Sequence, residues 1–210
     1  MEPYLNPSEK PSLAASILKG FTLDDIQDIA EDNPNLRGYL QGYLAERVLK
    51  AQIEELDGVS YIEKIPDESK VKGDFLILYR GQEFTLEAKS LATNSVKAEP
   101  ESGWSARVRA KNVCKRDLEV PGLGLVRTSN LIKGDFDILG ICCFAATGSW
   151  DFMYMHSSHL PEHSRYPGLI KGSFLVKPGI TPNMTSSLAD LLEETRKTKI
   201  LEHRTFHVPT

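Results

Sequence analysis

The apolar stretch from Ile138 to Ala146, the longest in the chain, constrains the fold more than any other feature. With Phe136 before it, the stretch predicts a strand from Phe136 to Ala146 that is buried on both faces, because a strand with one wetted face alternates polar and apolar residues. It is far too short to cross a bilayer as a helix. Such a strand belongs to a sheet covered on both sides, which favours an α/β protein.

Two helices are predicted ahead of the first strand. Thr22 can cap a short helix that runs to about Glu31, with Asp25 at the third helical position. Asn33 followed by Pro34 places a capping side chain and then a proline in the first turn, which is a second helix start.

The second helix continues to about Leu56, and its apolar residues recur at helical spacing, which predicts a long and well-buried helix. Gly38 and Gly42 lie one turn apart on a different face. A glycine inside a helix costs about 1 kcal/mol relative to alanine, so we expect another backbone to pack closely against them. The expected buried face consists of Leu36, Tyr39, Leu40, Tyr43, Leu44 and Val48.

After Asp57-Gly58 the apolar pattern changes from helical to extended, and strands are predicted up to residue 155. Residues 91–104 have the composition of a loop, and a final helix is expected over about 187–197. The predicted strands are 59–65, 75–79, 83–90, 106–113, 118–131 with a break at Pro121-Gly122, 136–146 and 150–155.

The length of 210 residues fits one domain better than two. Residues 1–20 are rich in proline at their start and are expected to be a loose arm. We therefore expect a single α/β domain over 1–210, with its core at about 33–155 and a mixed central β-sheet flanked by helices.

The net charge and the number of cysteines limit the classes of function that the chain can have. The formal net charge of −4 argues against a nucleic-acid binder, whose surface is usually basic. The charge is uneven, however, because residues 89–133 carry nine basic and four acidic side chains. The three cysteines, Cys114, Cys142 and Cys143, form no C-x-x-C pair, so neither a disulfide framework nor a thiolate zinc site is indicated, and we expect a cytoplasmic protein.

The segment GDFLILYRGQEFTLEAKS, residues 73–90, carries the chemistry. Asp74 begins one strand, a tight turn follows, and Glu87 and Lys89 lie on one face of the next strand. Hairpin pairing brings Asp74 close to Glu87, and two carboxylates that converge on one point repel each other unless a cation joins them. Oxygen ligands of this kind suit Mg2+ or Mn2+, and a nearby lysine can orient or help deprotonate water, or neutralise charge on a phosphate.

Asp74, the twelve residues after it and Glu87-Ala88-Lys89 resemble the PD-(D/E)xK signature of the restriction-endonuclease-like nuclease superfamily. The order of a long helix, a strand hairpin with the acidic residues and a further buried strand is similar to the core of that family, over roughly residues 33–155. One position departs from the pattern, since Gly73 stands where the signature has proline.

The resemblance implies a restriction-endonuclease-like core and a nuclease site that uses Mg2+ or Mn2+. Asp74, Glu87 and the carbonyl of Ala88 would hold the metal. Lys89 would position the attacking water, and Glu46 of the long helix would orient that water or assist a second metal ion. In-line attack on phosphorus would leave a 5′-phosphate.

The run PDESK, from Pro66 to Lys70, contains a second acidic-x-Lys triplet, and its residues match the letters of the signature more completely. It falls in a polar loop and leaves no gap for a hairpin, so we reject it as the site.

The basic segment beyond the site is interpreted as a contact surface for DNA backbone, with arginine able to read guanine. A solvated, lysine-rich strand edge is the alternative. The candidate nucleic-acid-binding residues are Arg107, Arg109, Lys111, Lys115, Arg116 and Arg127.

Two other groups of polar residues have the types and spacings of possible metal ligands. Asp135 is expected to end a loop and Asp137 to face a neighbouring element rather than form a second metal pair. His156, His159 and His163 have suitable spacings for zinc, but no cysteine or carboxylate motif completes them.

We therefore expect a Mg2+-dependent DNA endonuclease of restriction-enzyme-like type. A homodimer that cuts both DNA strands is one possible assembly. We expect no membrane association. Two alternatives stay open. One is a repair, recombination or RNA-directed nuclease with the same site. The other is an inactive member of the fold that binds nucleic acid or another protein.

Overall fold

The structure of the chain is a computed structural model that describes residues 19–66, 69, 71–120, 122 and 124–205, without the side chains of 113, 114 and 201–205. All but the last two residues of the expected N-terminal arm, 1–20, lie outside the described residues. The chain divides into two compact units, one ending at Gln41 and the other beginning at Gly42.

Both predicted N-terminal helices are present. Helix α1 spans Leu23–Asp32, and Thr22 and Asp25 form a capping box at its start. Helix α2 spans Pro34–Glu54, and the Asn33 side chain accepts a hydrogen bond from the backbone N–H of Leu36 at 3.2 Å.

The second unit contains a six-stranded sheet in the order β1-β2-β3-β8-β9-β11. Strands β3 and β8 pair in parallel, and the other neighbours in this sheet are antiparallel. Its strands are β1 (Val59–Lys64), β2 (Phe75–Tyr79), β3 (Gln82–Ser90), β8 (Ile138–Cys142), β9 (Phe152–His156) and β11 (Met184–Thr185).

The long connection between β3 and β8 forms further strands. Strands β4 and β5 belong to a small sheet with β10, and β6 and β7 form a separate two-stranded ribbon. The remaining elements are β4 (Lys97–Glu99), β5 (Gly103–Val108), β6 (Lys111–Val120), β7 (Gly124–Asn130), β10 (Phe174–Val176), the short helix α3 (Phe144–Thr147) and helix α4 (Leu188–Thr205).

Both faces of the large sheet are covered, as the apolar strand predicted. All five residues of β8 are buried. One face packs with Leu49 of α2 and Leu192 of α4, and the other packs with Val108 of β5 and Val176 of β10. The fold class, a mixed α/β sheet flanked by helices, is confirmed.

Within the second unit, the predicted buried face of α2 is wrong at Tyr43 and Leu44, whereas Val48 is partly buried and packs against the core. Tyr43 and Leu44 are 65% and 47% exposed, whereas Ala45, Leu49 and Ile53 are buried. The helix has apolar residues on adjacent stripes, so periodicity alone did not set its rotation. Within the second unit, the close packing expected at Gly42 is also wrong, because a Cβ there would meet no described heavy atom within 4 Å.

Several predicted boundaries also move. The expected strand 136–146 is shorter, since Ile138–Cys142 is followed by helix α3, and the expected loop 91–104 contains β4. The final helix extends to Thr205. Strand β6 ends at Val120 before the predicted turn at Pro121-Gly122, of which Pro121 lies outside the described residues.

Candidate active site

The β2–β3 hairpin fixes Asp74 beside the Glu87 triplet. Phe75 pairs with Leu86, so Asp74 lies one position further along, next to Glu87. The backbone N–H of Asp74 donates to the Leu86 carbonyl at 2.8 Å, and the N–H of Ala88 donates to Asp74 Oδ2 at 2.7 Å. The Asp74 carboxylate is therefore held against the backbone of the triplet.

Gly73 makes this close approach possible. Its φ is +109°, and a Cβ built there would lie 3.1 Å from the Leu86 carbonyl oxygen. Proline fixes φ near −65° and cannot take this conformation. The departure from the family signature therefore has a conformational reason, since the turn into Asp74 needs glycine.

Buried Glu87 and half-buried Lys89 form a pair beside Asp74. Glu87 is 7% exposed, and Lys89 Nζ donates to Glu87 Oε1. Burial raises the pKa of Glu87, Lys89 opposes this rise, and the Asp74 charge adds to it. Burial by itself lowers the pKa of Lys89, but the Glu87 and Asp74 charges outweigh it and leave that pKa above its usual value.

These three residues line one cleft of about 340 Å³, which lies in the range of roughly 300–1,000 Å³ typical of ligand sites. The cleft also receives polar side chains from outside the hairpin, which include Lys111, Asn112 and Arg116 from β6 and Lys72 and Asp135 from the flanking loops. The sequence assigned no site role to Lys72, Asn112 or Asp135. Burial raises the pKa of Asp135, against the attraction of Lys72 and Arg116.

An irregularity in β6 accounts for the β6 side chains in the cleft. Lys111 pairs with Asn130 and Arg116 with Thr128, so five steps along β6 match two steps along β7. A bulge of this kind re-aims side chains. It lets the neighbours Lys111 and Asn112 line the same cleft, which strict strand alternation forbids. No sequence signal marks such a bulge, which is why Asn112 was missed.

Glu46 does not line this cleft. Its carboxylate forms an ion pair with Lys64 of β1. Its charge still contributes, after those of Glu87 and Asp74, to the raised pKa of Lys89.

The structure distributes the basic candidates over different places. Lys111 and Arg116 line the cleft, whereas Arg107 and Arg109 line a separate depression. Lys115 is exposed on the β6–β7 ribbon, and Arg127 of the same ribbon pairs with Asp117 at 3.2 Å. They do not form one continuous strip.

The other polar groups make structural contacts. Asp137 accepts a hydrogen bond from the Thr85 backbone N–H at 2.8 Å and pairs with Lys199 at 2.8 Å, so it faces neighbouring elements. His156 Nδ1 accepts from the Ser158 N–H at 3.2 Å. Of the rejected PDESK run, Asp67, Glu68 and Lys70 lie outside the described residues.

The donors at Asp74 and Glu87 fit a hard divalent cation. Both carboxylates line one cleft, in which Lys89 bonds Oε1 of Glu87 and the Ala88 N–H bonds Oδ2 of Asp74. In the described part of the chain, no group of three or more histidine, cysteine or acidic side chains is arranged to hold a metal ion. Mg2+ matches this small set, because it usually binds one or two carboxylates and keeps several waters.

Among the described residues, no helix is both long and apolar enough to span a membrane. No protein-family model and no curated protein matches the sequence. Among solved structures, the chain is similar to a bacterial homing endonuclease, I-Ssp6803I, with 13% identity and a TM-score of 0.41, covering 82% of this chain and 98% of that one.

Proposed function

We propose that this chain is a Mg2+-dependent DNA endonuclease of the PD-(D/E)xK, restriction-enzyme-like type. One observation carries the proposal. A single cleft is lined by the carboxylates of Asp74 and Glu87, by Lys89 and by the cations Lys111 and Arg116. Metal-ligating oxygens beside several cations suit a phosphodiester, which binds through its negative oxygens and is cleaved with the help of a divalent ion.

Asp74, Glu87 and the Ala88 carbonyl would hold Mg2+ or Mn2+. When bound, the cation would supply Lewis-acid polarisation of the phosphoryl oxygens. The chain's own part is to keep the Asp74 carboxylate fixed, through the Ala88 N–H, and to exclude water around Glu87.

Lys89 Nζ donates to Glu87 Oε1, and the neighbouring carboxylates raise the pKa of Lys89 in the metal-free chain. Its proposed role is to orient the attacking water and to neutralise negative charge that develops on the phosphate. Glu46 is proposed as a positioning residue, which supports the protonated state of Lys89 by its charge.

The proposed reaction is a hydrolysis. The oxygen of a water molecule forms a bond to phosphorus, the bond from phosphorus to the 3′-oxygen breaks, and that oxygen takes up a proton. The products are a 5′-phosphate and a 3′-hydroxyl.

The remaining basic residues are proposed as DNA contacts around this cleft. The two-stranded β6–β7 ribbon, with Lys115 and Arg127, has a shape that the major groove can accept. Arg107 and Arg109, in their separate depression, would make peripheral backbone contacts.

The test is incubation of the full chain with supercoiled plasmid DNA and with RNA, in Mg2+ and in EDTA, beside Glu87→Ala and Lys89→Ala. We expect cleavage of DNA that needs Mg2+ and is lost in both variants, whereas Glu68→Ala of the rejected triplet should cleave normally. Linear product at the earliest times supports a homodimer, and nicked circles support a single site.

The same assay separates the alternatives. Cleavage of RNA but not DNA would replace the proposed substrate. Tight DNA binding without any cleavage, in every metal tried, would identify an inactive member of the fold.

A further inference from the structure

Two hydrogen-bond donors in the cleft have no partner. Asn112 Nδ2 and Arg116 Nε are both buried, and among the described residues neither has a hydrogen-bond acceptor. Nearly all buried donors in folded proteins are paired, so each exception calls for an explanation. These two donors come from β6 and line the cleft of Asp74 and Glu87, whereas a third unpaired donor among the described residues, Gln41 Nε2, belongs to helix α2.

The acidic groups of the cleft do not satisfy these donors. The Glu87 carboxylate is bonded by Lys89, and Asp74 Oδ2 is bonded by the Ala88 N–H. Asp135 lies close enough for Arg116 to lower its pKa, but no ion pair joins the two. The Arg116 guanidinium therefore presents an unpaired Nε–H in the cleft, and guanidinium N–H groups are good donors to phosphate oxygens.

Lys111 adds a further cation at the cleft. It is exposed, its stem passes over the backbone of Gly172, and it lines the same cleft as Asn112 and Arg116.

We propose that Lys111, Asn112 and Arg116 form an oxyanion subsite that holds the phosphate group at the bond to be cut. The inference rests on the proposed function and deepens it, because it assigns Arg116 and Asn112 to the reacting phosphate rather than to general contact with DNA. Arg116 is then a catalytic residue that donates through Nε to a non-bridging oxygen, and Asn112 donates through Nδ2.

The first experiment measures binding of thymidine 5′-monophosphate to the full chain in EDTA by calorimetry, with thymidine as the probe without phosphate. Arg116→Lys keeps the charge but removes the Nε donor, and Asn112→Leu removes the amide. Each should weaken binding by about tenfold or more, as expected for a hydrogen bond to a charged group. The matched control is Arg165→Lys, because Arg165 is exposed and does not line the cleft. The affinity of this variant for the monophosphate should stay within about twofold of the wild type.

Wild-type affinity in Arg116→Lys would overturn the subsite, because charge alone would then explain binding. Equal affinity for thymidine and its monophosphate, or no binding of the monophosphate at millimolar concentration, would overturn it as well. Circular dichroism of each variant checks that the fold is retained, and Arg116→Lys is the conservative variant that keeps the test valid if Asn112→Leu fails to fold.

A second experiment separates this inference from the proposed function. If the wild type cleaves DNA and both variants cleave with unchanged kcat and KM, the subsite is wrong and the nuclease stands. If the wild type cleaves no nucleic acid but both variants bind thymidine 5′-monophosphate more weakly than the wild type, the phosphate-binding subsite is supported and the proposed nuclease activity is wrong.

Discussion

At the scale of single residues, Gly73 decides whether Asp74 can reach the triplet. Its positive φ and the 3.1 Å approach of a Cβ to the Leu86 carbonyl predict that Gly73→Ala costs about 1–3 kcal/mol of unfolding free energy. Gly73→Pro, which restores the letters of the family signature, should be worse, because proline requires a negative φ. Urea denaturation measures both.

Gly42→Ala is the control for Gly73. Gly42 lies in helix α2 with no described heavy atom within 4 Å of a Cβ, so alanine there should raise the unfolding free energy by up to about 1 kcal/mol. A stability of Gly73→Ala equal to the wild type would show that the turn into Asp74 adapts to a side chain.

The charged Glu87 carboxylate should lower the unfolding free energy of the metal-free protein. Burial raises its pKa, so the folded state holds the proton more tightly than the unfolded chain. Stability is then lost as the pH rises above the usual glutamate value of about 4.3. Glu87→Gln removes this loss, so in EDTA the variant should gain stability over the wild type as the pH rises, with little difference at low pH.

Denaturation in EDTA at several pH values tests this. Glu83→Gln is the matched control, because it makes the same substitution at an exposed position of the same strand. Mg2+ should then stabilise the wild type but not Glu87→Gln. A constant loss of stability in Glu87→Gln at every pH would contradict the assigned direction of the pKa.

At the scale of elements, the rotation of α2 is the clearest test of the fold. Leu49 is fully buried against the sheet and Leu44 is 47% exposed. Leu49→Ala should therefore lower the unfolding free energy by about 2–5 kcal/mol, and Leu44→Ala by about 0.5 kcal/mol or less. Thermal denaturation compares the two, and a larger loss for Leu44→Ala would restore the face that the periodicity predicted.

The sequence predicted elements best where local chemistry and pattern agree. The strand 75–79 and the cap at Thr22 are confirmed, because alternation and capping depend on neighbours in the chain. The rotation of α2 could not be predicted, since apolar residues on two stripes compete and tertiary packing decides between them.

The candidate site divides in the same way. The placement of Asp74 beside Glu87 follows from hairpin pairing, which the sequence shows. Asn112 and Asp135 enter the cleft through an irregular strand and a loop. Their positions depend on long-range contacts, so no local pattern could reveal them.

At the scale of the whole molecule, the net charge of −4 conceals an uneven distribution. The excess of basic residues lies in the segment 89–133, but the structure divides that excess among the cleft, the ribbon and a separate depression. A DNA duplex that follows the cleft and ribbon would meet Lys111 and Lys115 and would reach Arg107 and Arg109 less.

The salt dependence of DNA binding tests this arrangement. Each phosphate contact contributes about 0.9 to the slope of log K against log salt concentration. Lys111→Met with Lys115→Met should therefore reduce the slope by about 1.8, as for two lost contacts. Arg107→Met with Arg109→Met removes the same charge from nearly the same stretch of chain, and should reduce the slope by less than half as much. A larger reduction in the arginine pair would place the duplex on the separate depression and away from Asp74 and Glu87.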